Sequence, residues 1–195
     1  MLKEVVRIAW RAGREFSSII RWIFYASLPG TYFKTMGRGS RFFGRLRFGS
    51  IEGNISVGKN CWIGHDVFLS ATRGSFIEVE DGVSFNTGCH IVAAYGITVR
   101  ANTHFGEYCS IRDQNHNFDS LEKPINEQGF SGSPIKIGQN VWVGRGVLIG
   151  PGVEIGDGAV IGANSVVTCN IPPFAVAVGA PARVIRMRGE PRIKK

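Results

Sequence analysis

The chemistry this chain can perform is most legible around His116, in the stretch "IRDQNHNFDS" (residues 111–120), where Asp113, Asn115 and Asp119 all lie within three residues of the imidazole. Neutral imidazole accepts a proton near neutral pH. A histidine with carboxylate and amide neighbours can therefore serve as a general base, a role that contributes about 10²–10⁴ in rate. Asp113, Asn115 or Asp119 would orient the ring or stabilise its protonated form through a hydrogen bond. Plainer readings stand beside these: His116 as a surface histidine without a role, and Asp113 and Asn115 as turn formers whose side chains bond their own backbone.

A base needs a rigid support, and the flanking sequence supplies a regular one. From Ile137 the chain divides every six residues into "IGQNVW", "VGRGVL", "IGPGVE", "IGDGAV", "IGANSV" and "VTCNIP", and the same frame fits "VGKNCW", "IGHDVF", "VEDGVS", "FNTGCH" and "FGEYCS" upstream. Position one is aliphatic or Phe, position two is mostly Gly, and position five is small or aliphatic. A fixed short period marks a solenoid, and hexapeptide units indicate a parallel β-helix. The doublets Ile55/Val57, Ile77/Val79, Ile97/Val99, Ile135/Ile137 and Val153/Ile155 follow one another at intervals of 22, 20, 38 and 18 residues. Three hexapeptides make 18, so one coil has three faces and the intervals hold insertions of 4, 2, 20 and 0 residues. The largest insertion is the loop that carries His116, expected over 112–133. A single long loop on a rigid scaffold is a place where function concentrates.

Position six of each unit should point away from the coil interior. Trp142 occupies it, so an exposed aromatic is expected there, as a ligand-facing wall or as packing between subunits. Cys61, Cys89 and Cys109 occupy position five and read as core filler, whereas Cys169 is expected on a turn. The four cysteines form no C-x-x-C pair and no cleavable signal peptide precedes them, which favours a reducing, cytoplasmic compartment.

The net charge of +8 is unevenly placed. Residues 1–50 hold 10 Lys/Arg and 2 acids, while residues 51–195 hold 13 of each. The same N-terminal quarter has helical spacing. On a helical wheel Lys3, Glu4, Arg7, Arg11, Arg14, Glu15 and Ser18 gather on one side, and Val5, Ala9, Ala12, Phe16, Ile19, Ile20 and Ile23 on the other. The apolar run is too short to span a bilayer. Two readings remain open: the helix packs on the prism or on another subunit, or it lies in a membrane interface with Trp10, Trp22, Phe24 and Tyr25 at headgroup depth and arginines near anionic lipid. Lys34, Arg38, Arg41, Arg45 and Arg47 extend the basic patch. Charge interleaved with a wide apolar face suits lipid better than a phosphate backbone, so nucleic acid is not an expected partner. The chain thus divides into a basic amphipathic helical segment (1–50), a hexapeptide β-helix with its inserted loop (51–171), and a C-terminal strand and basic tail (172–195).

The repeat, the loop with Asn-His, and the ending "IPPFAVAVGAPARVIR" together resemble the hexapeptide-repeat acyltransferases, most closely over 111–188. The resemblance extends to galactoside and maltose acetyltransferases and to the O-acetyltransferases of bacterial surface polysaccharides. It implies an all-β left-handed parallel β-helix, a homotrimer, and acyl transfer from coenzyme A without an acyl-enzyme, His116 being the base. It further implies contacts from Trp142, Asn86 and Asp119 to substrate, and from Arg145, Ala163, Thr168, Arg183 and Arg186 to acetyl-coenzyme A. The family often has Ser at the position of Arg145 and a His at that of Gln114. The function expected is an acetyl-coenzyme A-dependent O-acetyltransferase acting on a sugar hydroxyl in surface polysaccharide or lipopolysaccharide synthesis. Its acceptor would be a glycan, lipid-linked or free, and its place the inner face of the bacterial cytoplasmic membrane.

Three other readings compete. The γ-class carbonic anhydrases share the fold but need a zinc-binding pair of histidines five residues apart, and the histidines here, at 65, 90, 104 and 116, offer no such pair; no metal is expected. A membrane-associated solenoid scaffold would have no use for the loop histidine and the coenzyme tail together. N-acylation of an amino-sugar would usually come with a nucleotide-sugar domain, for which residues 1–50 are too short.

Overall fold

The hexapeptide frame decides which side chains enter the core. At position one, Val57, Ile63, Val79, Phe85, Val99, Phe105, Ile137, Val143, Ile149, Ile155, Ile161 and Val167 are all buried, as are the position-five residues from Cys61 to Ile171. Between them, position four turns the corner with a positive φ, taken by Asn60, Asp66, Gly82, Gly88, Asn102, Asn140, Gly146, Gly152, Gly158 and Asn164. Gly and Asn tolerate that left-handed conformation, so composition and turn geometry agree. Tyr108 is the exception, an aromatic residue held at φ 58.

The structure, a computed structural model, describes residues 13, 15–25 and 32–190. Its strands stack into a left-handed triangular β-helix of about six coils. The first face pairs Thr35–Met36, Asn54–Val57, Phe76–Val79, Ile97–Val99, Ile135–Ile137 and Glu154–Ile155 in parallel. The second runs Arg41–Phe42, Trp62–Ile63, Ser84–Phe85, His104–Phe105, Trp142–Val143 and Val160–Ile161 to Ala175–Val178, with Arg183–Met187 added antiparallel. The third runs Arg47–Ile51, Phe68–Ala71, His90–Ala93, Ser110–Arg112, Leu148–Ile149 and Val166–Val167. The register is the one the doublets demand: Ile55 sits opposite Ile77, Ile77 opposite Ile97 and Ile97 opposite Ile135. A fully buried Ile in such a ladder removes enough apolar surface from water to contribute about 1.5–3 kcal/mol.

The β-helix begins at Thr35, inside the stretch read as a helical N-terminal segment. Its first coil carries Met36 where later coils of that face have Val or Ile, so the frame is blurred there. Among the described residues no strand precedes that coil on any face, so its outer backbone groups would face water. The helix over 15–25 covers them. Ser18 Oγ accepts the Phe42 N–H at 2.9 Å, and Arg21 Nε donates to the Phe42 carbonyl at 2.7 Å. Arg21 Nη2 reaches the Phe43 carbonyl at 3.3 Å, Trp22 Nε1 reaches the Gly37 carbonyl at 3.2 Å, and Tyr25 Oη accepts the Leu46 N–H at 3.2 Å. Positions 18, 21, 22 and 25 share one side of a helix. A polar and aromatic seam thus caps the open end of the solenoid, a requirement of any terminal repeat.

This decides against one of the two readings of the wheel, packing of the apolar side on the prism of the same chain. Ser18, from the polar side, is 1% exposed, whereas Phe16, Ile19, Ile20 and Ile23 are 65, 55, 51 and 52% exposed. Glu15, also assigned to the polar side, pairs with Arg41 at 2.9 Å. Lys3, Glu4, Val5, Arg7, Ala9, Trp10, Arg11, Ala12 and Arg14 lie outside the described residues. No helix among the described residues is long and apolar enough to cross a membrane.

Candidate active site

The insertion leaves the third face after Ser110–Arg112 and returns to the first at Ile135. It forms a small antiparallel hairpin rather than an irregular loop: Gln114 pairs with Gly132, Asn115 with Ser131 and His116 with Phe130. Its base is fixed by Asp113, which is fully buried. The Asp113 carboxylate accepts the N–H of Ala94 at 2.8 Å through one oxygen, and those of Tyr95 at 2.8 Å and Gly96 at 2.7 Å through the other. Gly132 lies so close to the Asp113 carbonyl that a Cβ would collide with it. The tip is stitched by amides. Asn117 Nδ2 donates to the Gln128 carbonyl at 3.0 Å and Asn117 Oδ1 accepts from Ser131 Oγ at 2.8 Å. Gln128 Oε1 accepts the Ser120 N–H at 2.9 Å, and its Nε2 donates to the carbonyls of Ser120 and Lys123. A turn of 3₁₀-helix at Ile125–Glu127 closes the tip.

The hairpin stands over the outer surface of the third face and encloses a groove of about 620 Å³. Asn115, His116, Phe118 and Asp119 line one wall, while Ser110, Arg112, Leu148, Pro151 and Thr168 line the other. His116 is exposed to it, and among the described residues no hydrogen bond fixes its ring. Both oxygens of Asp113 are committed to backbone N–H groups of the preceding coil, a long-range anchor that is neither the orienting role nor the local turn chemistry expected from sequence. Four site residues named from sequence therefore meet in one groove, namely Asn115, His116, Asp119 and Thr168. Ser110, Arg112 and Leu148 were missed. The signal for Ser110 and Leu148 was available, because each is a position-six residue of its hexapeptide and must point outward.

The remaining candidates lie elsewhere on the prism. Trp142 is 60% exposed on the outer surface of the second face, in line with His104 and Val160. Asn86, Arg145 and Ala163 lie along the edge where the second face turns into the third, Arg145 and Ala163 in successive coils and Asn86 two coils before Arg145. Tyr108 belongs to that edge, with its N–H on the Thr87 carbonyl and its ring so placed over Gly88 that a Cβ there would lie 2.5 Å from Cδ1. An aromatic residue kept in the left-handed region is strained, and such strain gathers at functional sites.

Arg183 and Arg186 sit on the terminal antiparallel strand. Arg183 pairs opposite Val178, Val184 opposite Ala177 and Arg186 opposite Val176, so Ile185 is an extra, unpaired residue. This bulge cancels one alternation of the strand and turns both arginines to the same side. Their guanidinium groups donate only to carbonyls, those of Ala182, Met187 and Glu190. Among the described residues neither has a carboxylate partner, which suits a pair of cations meant for phosphate.

Three of the thiols, Cys61, Cys89 and Cys109, are buried. Burial raises the pKa of Cys61, and Cys89 is raised by the hydrogen bond with its neighbour Cys109 and then by burial. Cys169 is exposed. Among the described residues no group of three His, Cys, Asp or Glu side chains is placed to hold a metal ion.

Comparison with known proteins agrees with this architecture. A profile of the family "Bacterial transferase hexapeptide (six repeats)" matches residues 134–169. A probable acetyltransferase of Mycobacterium tuberculosis is 33% identical over 69% of this chain, and the galactoside O-acetyltransferase of Escherichia coli is 39% identical over 67%. The chain spans 44% and 63% of the lengths of these two relatives. Among solved structures, a galactoside acetyltransferase in complex with coenzyme A is 34% identical with a TM-score of 0.57, covering 80% of this chain and 65% of that one. Repeat, hairpin and these likenesses together make the chain a member of the hexapeptide-repeat acyltransferase family.

Proposed function

We propose that this protein is an acetyl-coenzyme A-dependent O-acetyltransferase of a carbohydrate hydroxyl, serving bacterial surface polysaccharide or lipopolysaccharide assembly. The observation that carries the reading is the groove, in which His116 stands exposed on a hairpin held from below by Asp113, with Thr168 on the opposite wall. Acetyl-coenzyme A supplies the thioester. His116 takes the proton of the acceptor hydroxyl and passes it to the departing thiolate, so that the ester C–O bond forms as the C–S bond breaks. Asp119 and Asn115 line the same groove and contact the acceptor or the ring, while Arg183 and Arg186 hold the phosphates of the coenzyme.

The candidate residues fall into two groups at different places on the prism, and this supports a threefold assembly. In it the edge bearing Asn86, Arg145 and Ala163, with Trp142 beside it, faces the His116 groove of a neighbouring copy. A scaffold would not need two such complementary edges. The test is transfer of radiolabelled acetyl from acetyl-coenzyme A to galactosides, maltose and amino-sugar nucleotides. Alkali-labile ester on a hydroxyl acceptor, lost in His116→Ala, is the expected product. Label found only as alkali-stable amide would replace the reading with N-acylation.

A further inference from the structure

We propose that the capped end of the β-helix is a docking surface for an anionic membrane, with the outer seam of the N-terminal helix lying at the headgroup boundary. Phe16, Ile19, Ile20 and Ile23 fall at i, i+3, i+4 and i+7, and each is more than half exposed. They cannot turn inward, because the opposite side of the same helix is bonded to the backbone of the first coil through Ser18, Arg21, Trp22 and Tyr25. The seam is therefore held outward by the fold, which is the arrangement of an interfacial helix.

Charge names the occupant. Lys34, Arg38, Arg45 and Arg47 are exposed on the first coil beside the helix, and none makes an ion pair among the described residues. Arg45 and Arg47 line a groove of about 710 Å³ at the foot of the helix together with Tyr32, Phe48 and Asp66. A groove with two free guanidinium groups and aromatic walls, opening beside an apolar seam, fits a phosphate-bearing lipid headgroup. A second copy of the chain fits less well. A self-complementary contact across this seam would bring two sets of the same unpaired cations together. No helix among the described residues is long and apolar enough to cross a bilayer, and the proposed contact is with the interface.

The position also has a consequence that rests on the acetyltransferase reading. Strand Arg47–Ile51 and strand Ser110–Arg112 belong to one face and are three strand steps apart, roughly 14 Å. A glycan carried on a membrane lipid would thus reach the His116 groove along the outer surface of the third face.

The test is flotation of the full chain with vesicles of phosphatidylglycerol and phosphatidylethanolamine, against vesicles of phosphatidylcholine alone. Acetyl-coenzyme A binding by the same preparations is followed as an independent check of fold and of the catalytic reading. Wild type should float with the anionic vesicles and lose binding as salt rises from about 0.05 to about 0.5 M. Ile19→Glu/Ile23→Glu and Arg45→Glu/Arg47→Glu should each weaken partitioning by at least about tenfold while circular dichroism and coenzyme binding stay unchanged. The proposal is overturned by a wild type that floats with neither vesicle, or by variants that float like wild type. It is also overturned if Ile19→Glu/Ile23→Glu lowers the mass measured by light scattering, because then another copy of the chain covers the seam.

Discussion

Replacing Asp113 by alanine separates two accounts of a buried carboxylate three residues before His116. One has Asp113 tuning the imidazole; the geometry has it pinning the hairpin to the preceding coil. Removing the carboxylate leaves three N–H donors, those of Ala94, Tyr95 and Gly96, without their acceptor at 2.7–2.8 Å. Hydrogen bonds to a charged group contribute about 1.5–3 kcal/mol each, and an orphaned buried donor costs about 1–3 kcal/mol. Gly96 is buried, but Tyr95 is exposed, so water recovers part of the loss. The expected destabilisation is about 3–5 kcal/mol, read as a lowered urea midpoint with an unchanged slope, and a melting temperature lower by roughly 10 °C. Asp113→Asn keeps one acceptor oxygen but turns an NH₂ group toward backbone donors, and should fall between alanine and wild type. Stability within about 1 kcal/mol of wild type, accompanied by a large loss of transfer, would refute the pinning role and return Asp113 to the catalytic machinery.

Three further outcomes follow from other contacts. Gly132→Ala must push the hairpin off the Asp113 carbonyl, so transfer should drop by at least about tenfold while the melting temperature moves little, measured by activity beside thermal unfolding. Arg21→Ala removes the donor to the carbonyls of Phe42 and Phe43 and should destabilise by about 1–3 kcal/mol in urea unfolding, whereas the exposed Ile19→Ala should stay within about 0.5 kcal/mol. Of the four thiols, Cys169 alone should react rapidly with a disulfide reagent in the native state. Cys61, Cys89 and Cys109 should react only on unfolding, because burial keeps Cys61 protonated, the hydrogen bond with Cys109 and then burial keep Cys89 protonated, and burial removes all three from the reagent.

The repeat made most of the fold readable. A six-residue period fixes which side chains point inward, and the doublet intervals alone place Ile97 over Ile77 and the insertion before Ile135. The groove was half readable for the same reason: His116 belongs to the insertion, and Leu148 to an outward slot. What escaped depends on partners distant in sequence. Asp113 bonds backbone 17 to 19 residues away, which no local pattern reveals. The hairpin has no apolar alternation, since its strands are Gln-Asn-His and Phe-Ser-Gly held by Asn117 and Gln128. The wheel of the N-terminal helix identified the apolar stripe but left its direction open, because the demand that sets it, the unpaired backbone of the first coil, belongs to the solenoid and not to the helix. The bulge at Ile185 likewise depends on its pairing with Val176 and Ala177.

The central claim is met most directly by calorimetric titration of acetyl-coenzyme A into the wild type, into His116→Ala and into Arg183→Ala/Arg186→Ala. The account predicts binding in the micromolar range by wild type, nearly the same affinity in His116→Ala, and a loss of at least about tenfold when both arginines are removed. Absence of any heat of binding in a folded wild type would contradict it, and would leave a solenoid that holds a histidine over a groove for some purpose other than acetyl transfer.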